Sequence, residues 1–442
     1  MKRLRFLKLR NLEITGGYKY LPNKLECLDW LDFPLKSIPR DFNLGEVVAI
    51  YLRRSQLRYV WNDSRVLAKL KILDLSDSYF LKQSPEFSTI PNLEKLVFRH
   101  CHNLSEVHHS IGALGRLSTV DLAQCSSLKE LPTSFYKLKS VVTLVLDRCV
   151  RFEKLDEEIG DMTSLSTLRV NETAITELPS SMVRLKNLRC VSLRPRSDMV
   201  RFENRECLCR TKSYSREYRS TRRLLLPPSV QGLSSLDTLR ISDRDLTYVP
   251  KDLGSLASLK NLDLQFCTLQ SLPSLSGLNR LVDLNLTGCN LTDEIIKIMD
   301  LGSLFSLKLL DLSRNSFTSL PSLCSLSKLK TLDLNYCENL VAIPKLPASL
   351  MMLEAKKCTA LVIMPDFSSV CNMRRIRLLG CYKVVDVPGL DRSLKNTMRL
   401  LNMAGCNNIT ATLKEKILRV SLSLSLSLSS SIVNIWCRDG IS

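Results

Sequence analysis

Three observations predict an α/β solenoid built from one short repeat. The pattern L-x-x-L-x-L-x-x-C returns at intervals of 21 to 26 residues, as in Leu117-x-x-Val120-x-Leu122-x-x-Cys125 and Leu329-x-x-Leu332-x-Leu334-x-x-Cys337. Its centre alternates apolar and polar residues, which is how a half-buried strand reads. Its second half often ends L-x-x-L-P, as in Leu128-Lys129-Glu130-Leu131-Pro132 and Leu269-Gln270-Ser271-Leu272-Pro273. A proline there disfavours a long helix. One such strand cannot bury its leucines alone, whereas stacked copies pair in parallel and share a continuous core. The pattern therefore specifies a leucine-rich repeat solenoid, with a curved parallel β-sheet on the concave face and short helical or extended segments on the convex face.

Counted from the first apolar position, the copies begin at Leu4, Leu25, Val47, Leu70, Leu93, Leu117, Val141, Leu165, Leu188, Leu236, Leu259, Leu281, Leu307, Leu329, Leu350, Met373 and Met398. Only the step from Leu188 to Leu236, 48 residues, breaks the period. The expected organisation is thus a solenoid over 1–193, an insertion at 194–223, and a second run of repeats over 224–411. Thr412-Leu413-Lys414-Glu415 fits a capping box, so a short closing helix is expected at 412–419. Residues 420–442 carry an alternating Ser-Leu run of low complexity. That tail is expected to be disordered or to come from a translated microsatellite. The first repeat starts without a capping segment before it.

The ninth position is Cys at 101, 125, 149, 267, 289, 337, 358, 381 and 406, and a small polar residue at Ser55, Ser78, Thr173 and Asn315. A small donor suits an inward turn beside backbone carbonyls. These are core thiols rather than a disulfide framework, which places the chain in a reducing compartment. The formal net charge is +19. The insertion 194–223 holds ten Lys/Arg against four Asp/Glu, a net of +6, and reads as a basic loop between repeats. A continuous basic stripe with stacking aromatics would mark a nucleic-acid surface, but aromatics are 6% of the chain and acids interrupt the strand face. No apolar run approaches the length of a membrane span.

Several phrases are more specific than the repeat. Leu35-Lys36-Ser37-Ile38-Pro39, Ser78-Tyr79-Phe80-Leu81 and Pro91-Asn92-Leu93-Glu94-Lys95-Leu96 are three of them. Ser105-Glu106-Val107-His108-His109-Ser110-Ile111-Gly112, Asn171-Glu172-Thr173-Ala174-Ile175-Thr176-Glu177-Leu178-Pro179 and Val385-Asp386-Val387-Pro388-Gly389-Leu390-Asp391 are three more. Over 1–193 and 224–419 the chain resembles the leucine-rich repeat region of plant intracellular immune receptors. The matching subgroup is the Toll/interleukin-receptor (TIR) type, including tobacco mosaic virus resistance protein N-like members. The resemblance implies contact with a pathogen effector or a guarded host protein. In a full-length receptor it also implies restraint of a nucleotide-binding switch. It implies a cytoplasmic or nuclear protein in plant defence. These residues contain no G-x-x-x-x-G-K-[ST] phosphate loop, so nucleotide switching is not carried over to them. The alternative readings are a stand-alone repeat scaffold or decoy and, behind it, a basic nucleic-acid-binding surface.

Contact residues should lie at the outward third, fifth, seventh and eighth positions. Early repeats place Lys8, Arg10, Arg53, Arg54, Arg99, Arg148, Arg169 and Arg194 there. Later ones place Arg240, Asp263, Asp283, Asp311, Asp333, Tyr336, Glu354, Lys356, Arg375 and Arg377. The face is expected to be basic early, acidic late and basic again at its end. Of these, Arg53, Arg99, Arg169, Arg240, Asp263, Asp283, Asp311, Asp333, Tyr336, Glu354, Lys356 and Arg377 form the candidate protein-binding set. Arg and Tyr are the stronger anchors, since these types dominate binding hot spots; Asp in L-D-L has the competing role of solvating the sheet. His100, His102, His108 and His109 cluster near Cys101, but metal ligation needs three or four converging ligands. No catalytic, cofactor or metal site and no small-molecule substrate is expected.

Overall fold

A computed structural model describes residues 4–13, 18, 22–61, 65–194, 224–390, 397–415 and 434–436. The chain divides into two compact units, Met1–Pro227 and Pro228–Ser442.

In the first unit, each repeat contributes one short strand: β1 Phe6–Arg10, β2 Cys27–Leu31, β3 Ala49–Tyr51, β4 Ile72–Asp74, β5 Lys95–Val97, β6 Thr119–Asp121, β7 Thr143–Val145, β8 Thr167–Arg169 and β9 Cys190–Leu193. Neighbours pair in parallel and in register, so that Leu96, Val120, Leu144 and Leu168 stack at the fourth position. In the second unit the strands are β10 Thr238–Ile241, β11 Asn261–Asp263, β12 Asp283–Asn285, β13 Leu309–Asp311, β14 Thr331–Asp333, β15 Met352–Glu354, β16 Arg375–Arg377, β17 Leu400–Asn402 and β18 Asn434–Trp436. They follow the same parallel register, with Leu262, Leu284, Leu310, Leu332 and Leu353 stacked. The solenoid expected from the period is what forms in each unit.

The return segments are short, as the L-x-x-L-P endings require. They carry single 3₁₀ turns such as His109–Ala113, Glu157–Asp161 and Ser180–Arg184, and two brief α-helices, α1 Thr133–Tyr136 and α2 Asp293–Ile298. The longer α2 falls in the widest of the regular repeats, Leu281 to Leu307, so the extra residues are absorbed on the return side and the strand register is kept.

The inward positions form the core. Leu93, Leu96, Phe98 and Cys101 of one repeat are fully buried, as are Leu329, Leu332, Leu334 and Cys337 of another. The ladder thiols are core residues, as expected. Cys125 Sγ donates to the Phe98 carbonyl (3.0 Å), Cys149 to Leu122 (3.1 Å), Cys337 to Leu312 (3.2 Å) and Cys358 to Leu334 (3.1 Å). Each thiol thus satisfies the sixth-position carbonyl of the preceding repeat. Burial pushes Cys101, Cys149, Cys267 and Cys337 up to about 12, so they remain protonated at neutral pH. Asn315 does more at the same position. Its Nδ2 donates to Leu286 and Leu312, and its Oδ1 accepts from the Cys289 and Leu291 amides.

The helix near the end runs over 411–415 among the described residues. Its start differs from the expectation. Thr410 Oγ1, not Thr412, accepts from the Leu413 amide at 3.2 Å, and the Thr410 carbonyl receives the Lys414 amide. The cap thus lies two residues earlier than expected, and Leu413 is buried in the turn that it opens. Residues 195–223 of the insertion lie outside the described residues, as does the Ser-Leu run. Within the expected tail, β18 pairs in parallel with β17.

Candidate protein-binding face

The outward strand face is built by register. Adjacent strands lie about 4.8 Å apart, so residues at one repeat position form a ladder. The fifth position is more covered than simple alternation predicts. Asp29, Val97, Asp121, Val145, Ser192 and Glu354 are all buried there, because side chains from both neighbouring strands crowd each one.

The fifth position also has a structural task. Its carboxylate or amide oxygen accepts the amide of the seventh residue: Ser76 on Asp74, Ala123 on Asp121, Thr287 on Asn285, Ser313 on Asp311, Asn335 on Asp333 and Ala404 on Asn402, at 2.9 to 3.2 Å. This bond closes the turn leading out of the strand. The eighth residue then takes a left-handed backbone. Asn11, Asp32, Arg54, Asp77, His100, Gln124, Arg148 and Glu172 in the first unit, and Phe266, Arg314, Tyr336 and Lys357 in the second, have φ between 47° and 64°. Gly288, Gly380 and Gly405 occupy the same position.

In the first unit the expected basic face is a face of paired charges. Arg53 lies 3.5 Å from Asp29 and 3.9 Å from Asp74. Arg99 grips Asp121 through Nε (2.6 Å) and a terminal nitrogen (2.5 Å). Arg169 pairs with Asp147, Arg54 with Asp32 (3.1 Å) and Arg148 with Glu172 (3.3 Å). The acids stand at the same outward positions as the arginines. The positional rule that picks out Arg53, Arg99 and Arg169 also picks out Asp29, Asp74, Asp121 and Asp147, once acids and bases are counted together.

In the second unit, the fifth-position ladder runs Arg240, Asp263, Asn285, Asp311, Asp333, Glu354, Arg377 in register. Asp283 stands beside it at the third position. Asp311, Asp333 and Glu354 are consecutive acids, Asn285 separates them from Asp263, and an arginine stands at each end of the ladder. Glu354 reaches Arg377 (3.5 Å) and Lys356 (3.8 Å). Asp333 lies between Asp311 and Glu354. Burial, reinforced by those two negative neighbours, pushes its carboxyl up to about 6. Asp283 is also raised, by burial and then by Asp263 and Asp311, with Arg240 opposing. Tyr336, at the eighth position, has Arg314 4.3 Å from its ring centroid and Lys357 5.5 Å from it. A shallow depression next to this stack is lined by Arg314, Asn315, Ser316, Tyr336, Glu338 and Asn339.

The histidines serve packing and turn formation. His108 Nδ1 lies 2.7 Å from Ser110 Oγ, and His102 stacks on Tyr79 at 5.5 Å between centroids. Among the described residues no group of His, Cys, Asp and Glu is placed to hold a metal ion. Among them, too, no helix is long and apolar enough to cross a membrane.

Comparison with known proteins agrees with this geometry. The Leucine Rich Repeat family model matches residues 306–326. TMV resistance protein N of Nicotiana glutinosa is 34% identical over 362 residues, which are 65% of this chain and 30% of that protein. Disease resistance-like protein DSC1 of Arabidopsis thaliana is 31% identical over 338 residues, 60% of this chain and 27% of the relative. The chain thus spans less than a third of the length of these relatives. Among solved structures, a leucine-rich repeat protein of Leptospira interrogans superposes with a TM-score of 0.62 at 20% identity, covering 96% of this chain and all of that one. The functional domain of InlJ from Listeria monocytogenes, which includes a cysteine ladder, superposes at 0.54 with 18% identity over 91% of this chain and 74% of its own. These two likenesses concern the fold. The sequence relatives go further: the chain is homologous to the leucine-rich repeat region of plant TIR-type disease resistance proteins.

Proposed function

We propose that this chain is the protein-recognition region of a plant intracellular immune receptor. It contacts a pathogen effector or a guarded host protein through its outward strand face. In a full-length receptor it also restrains the nucleotide-binding switch. The observation that carries the reading is the homology to disease resistance proteins over most of the repeats. The strand face supports it. Register sets charged and aromatic side chains in ladders on a rigid scaffold, which suits a broad protein contact. The charge pairing in the first unit weighs against nucleic acid, since Arg53, Arg99 and Arg169 are each neutralised by a carboxylate and phosphate tracking needs cations available to the backbone. Free thiols in the ladder are in keeping with a cytoplasmic or nuclear location.

The test is a chimera in which this chain replaces the matching region of TMV resistance protein N, expressed in leaves. Restraint by the repeats predicts a silent chimera without elicitor and a recognition range different from that of the parent. Constitutive cell death equal to that of a repeat-deleted receptor, or an unchanged recognition range, would overturn the reading.

A further inference from the structure

The eighth-position ladder differs between the units in a way the fold does not require. A left-handed residue other than glycine carries roughly 1 kcal/mol of strain, and Gly288, Gly380 and Gly405 show that glycine is accepted at this position. In the first unit, several of the non-glycine residues gain polar partners in exchange. Arg54 meets Asp32 at 3.1 Å, His100 meets Asp77 at 3.8 Å, and Arg148 meets Glu172 at 3.3 Å, each between adjacent repeats. In the second unit, Arg314, Tyr336 and Lys357 occupy three consecutive repeats, with φ of 58°, 62° and 56°. No ion pair joins Arg314 or Lys357 to an acid among the described residues. Both are exposed and lie over the Tyr336 ring instead.

We propose that Arg314, Tyr336 and Lys357 form a docking point for an acidic segment of a partner protein. The two cations are held by left-handed turns and by the ring between them, so little side-chain entropy is lost when they are engaged. Two repeats separate them, or roughly 10 Å at the spacing of parallel strands. Two carboxylates at i and i+2 of an extended segment lie on one face about 7 Å apart, within side-chain reach of both cations, and the depression next to Arg314 leaves room beside them. An isolated Arg–aromatic stack with open solvent on one side is also a hot-spot composition. The proposal deepens the protein-recognition reading and rests on it. The chimera reads recognition of a whole partner and the assay below reads this ladder alone, so each can fail without the other.

The experiment titrates the full chain into fluorescein-labelled poly-L-glutamate at 150 mM NaCl and follows anisotropy. The double variant Arg314→Glu with Lys357→Glu is compared with a charge-matched control, Arg116→Glu with Arg151→Glu, whose residues are exposed and lie away from this ladder. Tyr336→Ala tests the stack at constant charge, and Tyr336→Phe tests it without loss of the ring. We expect the Arg314/Lys357 variant to bind about tenfold more weakly and the control to change by less than about twofold. Tyr336→Ala should weaken binding and Tyr336→Phe should not. Equal losses in the two double variants would show bulk charge alone and overturn the proposal. Displacement of the polyglutamate by a dT20 oligonucleotide at lower concentration than by unlabelled polyglutamate would also overturn it, making this a nucleic-acid surface. Circular dichroism of each variant confirms that the repeats are intact.

Discussion

The two units use one repeat to opposite electrostatic ends. In the first, an arginine lies beside an aspartate at almost every turn of the strand face: Arg53 with Asp29 and Asp74, Arg99 with Asp121, Arg169 with Asp147. In the second, Asp311, Asp333 and Glu354 are stacked on one another, and Arg314 and Lys357 are stacked on a tyrosine. Backbone, register and turn bonds are the same. The difference teaches that the scaffold does not depend on how its ladders are charged, because the leucines and thiols inside hold it. The first unit spends its charges on itself. The second keeps like charges adjacent, Asp333 between Asp311 and Glu354, at a cost to its own stability.

One substitution at one repeat position should therefore have opposite signs in the two units. Asp121 is buried, holds Arg99, and accepts the Ala123 amide at 3.2 Å. Asp121→Ala removes both interactions and should destabilise by about 2 kcal/mol in urea unfolding. Asp121→Asn keeps an acceptor for the turn and should cost about half as much. Asp333→Asn should instead stabilise by about 1 kcal/mol at pH 7.5, since it keeps the acceptor for Asn335 and ends the repulsion with Asp311 and Glu354. Asn285 and Asn402 show that an amide serves at this position. The pH dependence follows from the raised carboxyl. The folded group titrates near 6 and the unfolded group near 3.8, so between these values the folded state holds the extra proton. The wild-type chain should gain stability from this group as pH falls from about 6 to about 4, and lose that gain as pH rises through 6. In Asp333→Asn that part of the profile should be flat. If the two asparagine variants shift stability in the same direction, the contrast between the units is wrong.

Much of this was readable in the sequence, for local reasons. The strands at the third to fifth positions and the buried ninth-position thiols follow from a period that leaves only those residues to face the core. The interactions across repeats were harder to read. Arg53 and Asp29 are 24 residues apart, and only the in-register stack brings them together. The left-handed eighth position was marked by glycine only at Gly288, Gly380 and Gly405, since Arg, Tyr, Asp and His stand there in other repeats. The role of L-D-L as a turn acceptor was hidden by its other role as surface charge. The cap at Thr410 was missed because Thr412 and Glu415 match the capping pattern, whereas Thr410 has Leu413 three residues on in place of a Glu or Gln.

Smaller substitutions sharpen the comparison by moving the pairing from one unit to the other. Leu309 is 41% exposed and stands in register with Asp283 at the third position. Leu309→Lys would set a cation beside a carboxyl that its neighbours hold up, reproducing the first unit's pattern in the second. It should raise stability by about 0.5 kcal/mol at low salt, with the gain fading toward 1 M NaCl as the pair is screened. The reverse change is weaker. Arg148 and Glu172 are joined at 3.3 Å, but both are about 40% exposed, and the left-handed turns that present them form elsewhere without a pair. Arg148→Gln should cost less than about 0.5 kcal/mol. A thermal shift of several degrees in that variant would mean that the eighth-position pairs stabilise the first unit. The second unit's unpaired cations would then mark a weak point in the fold as well as a docking point.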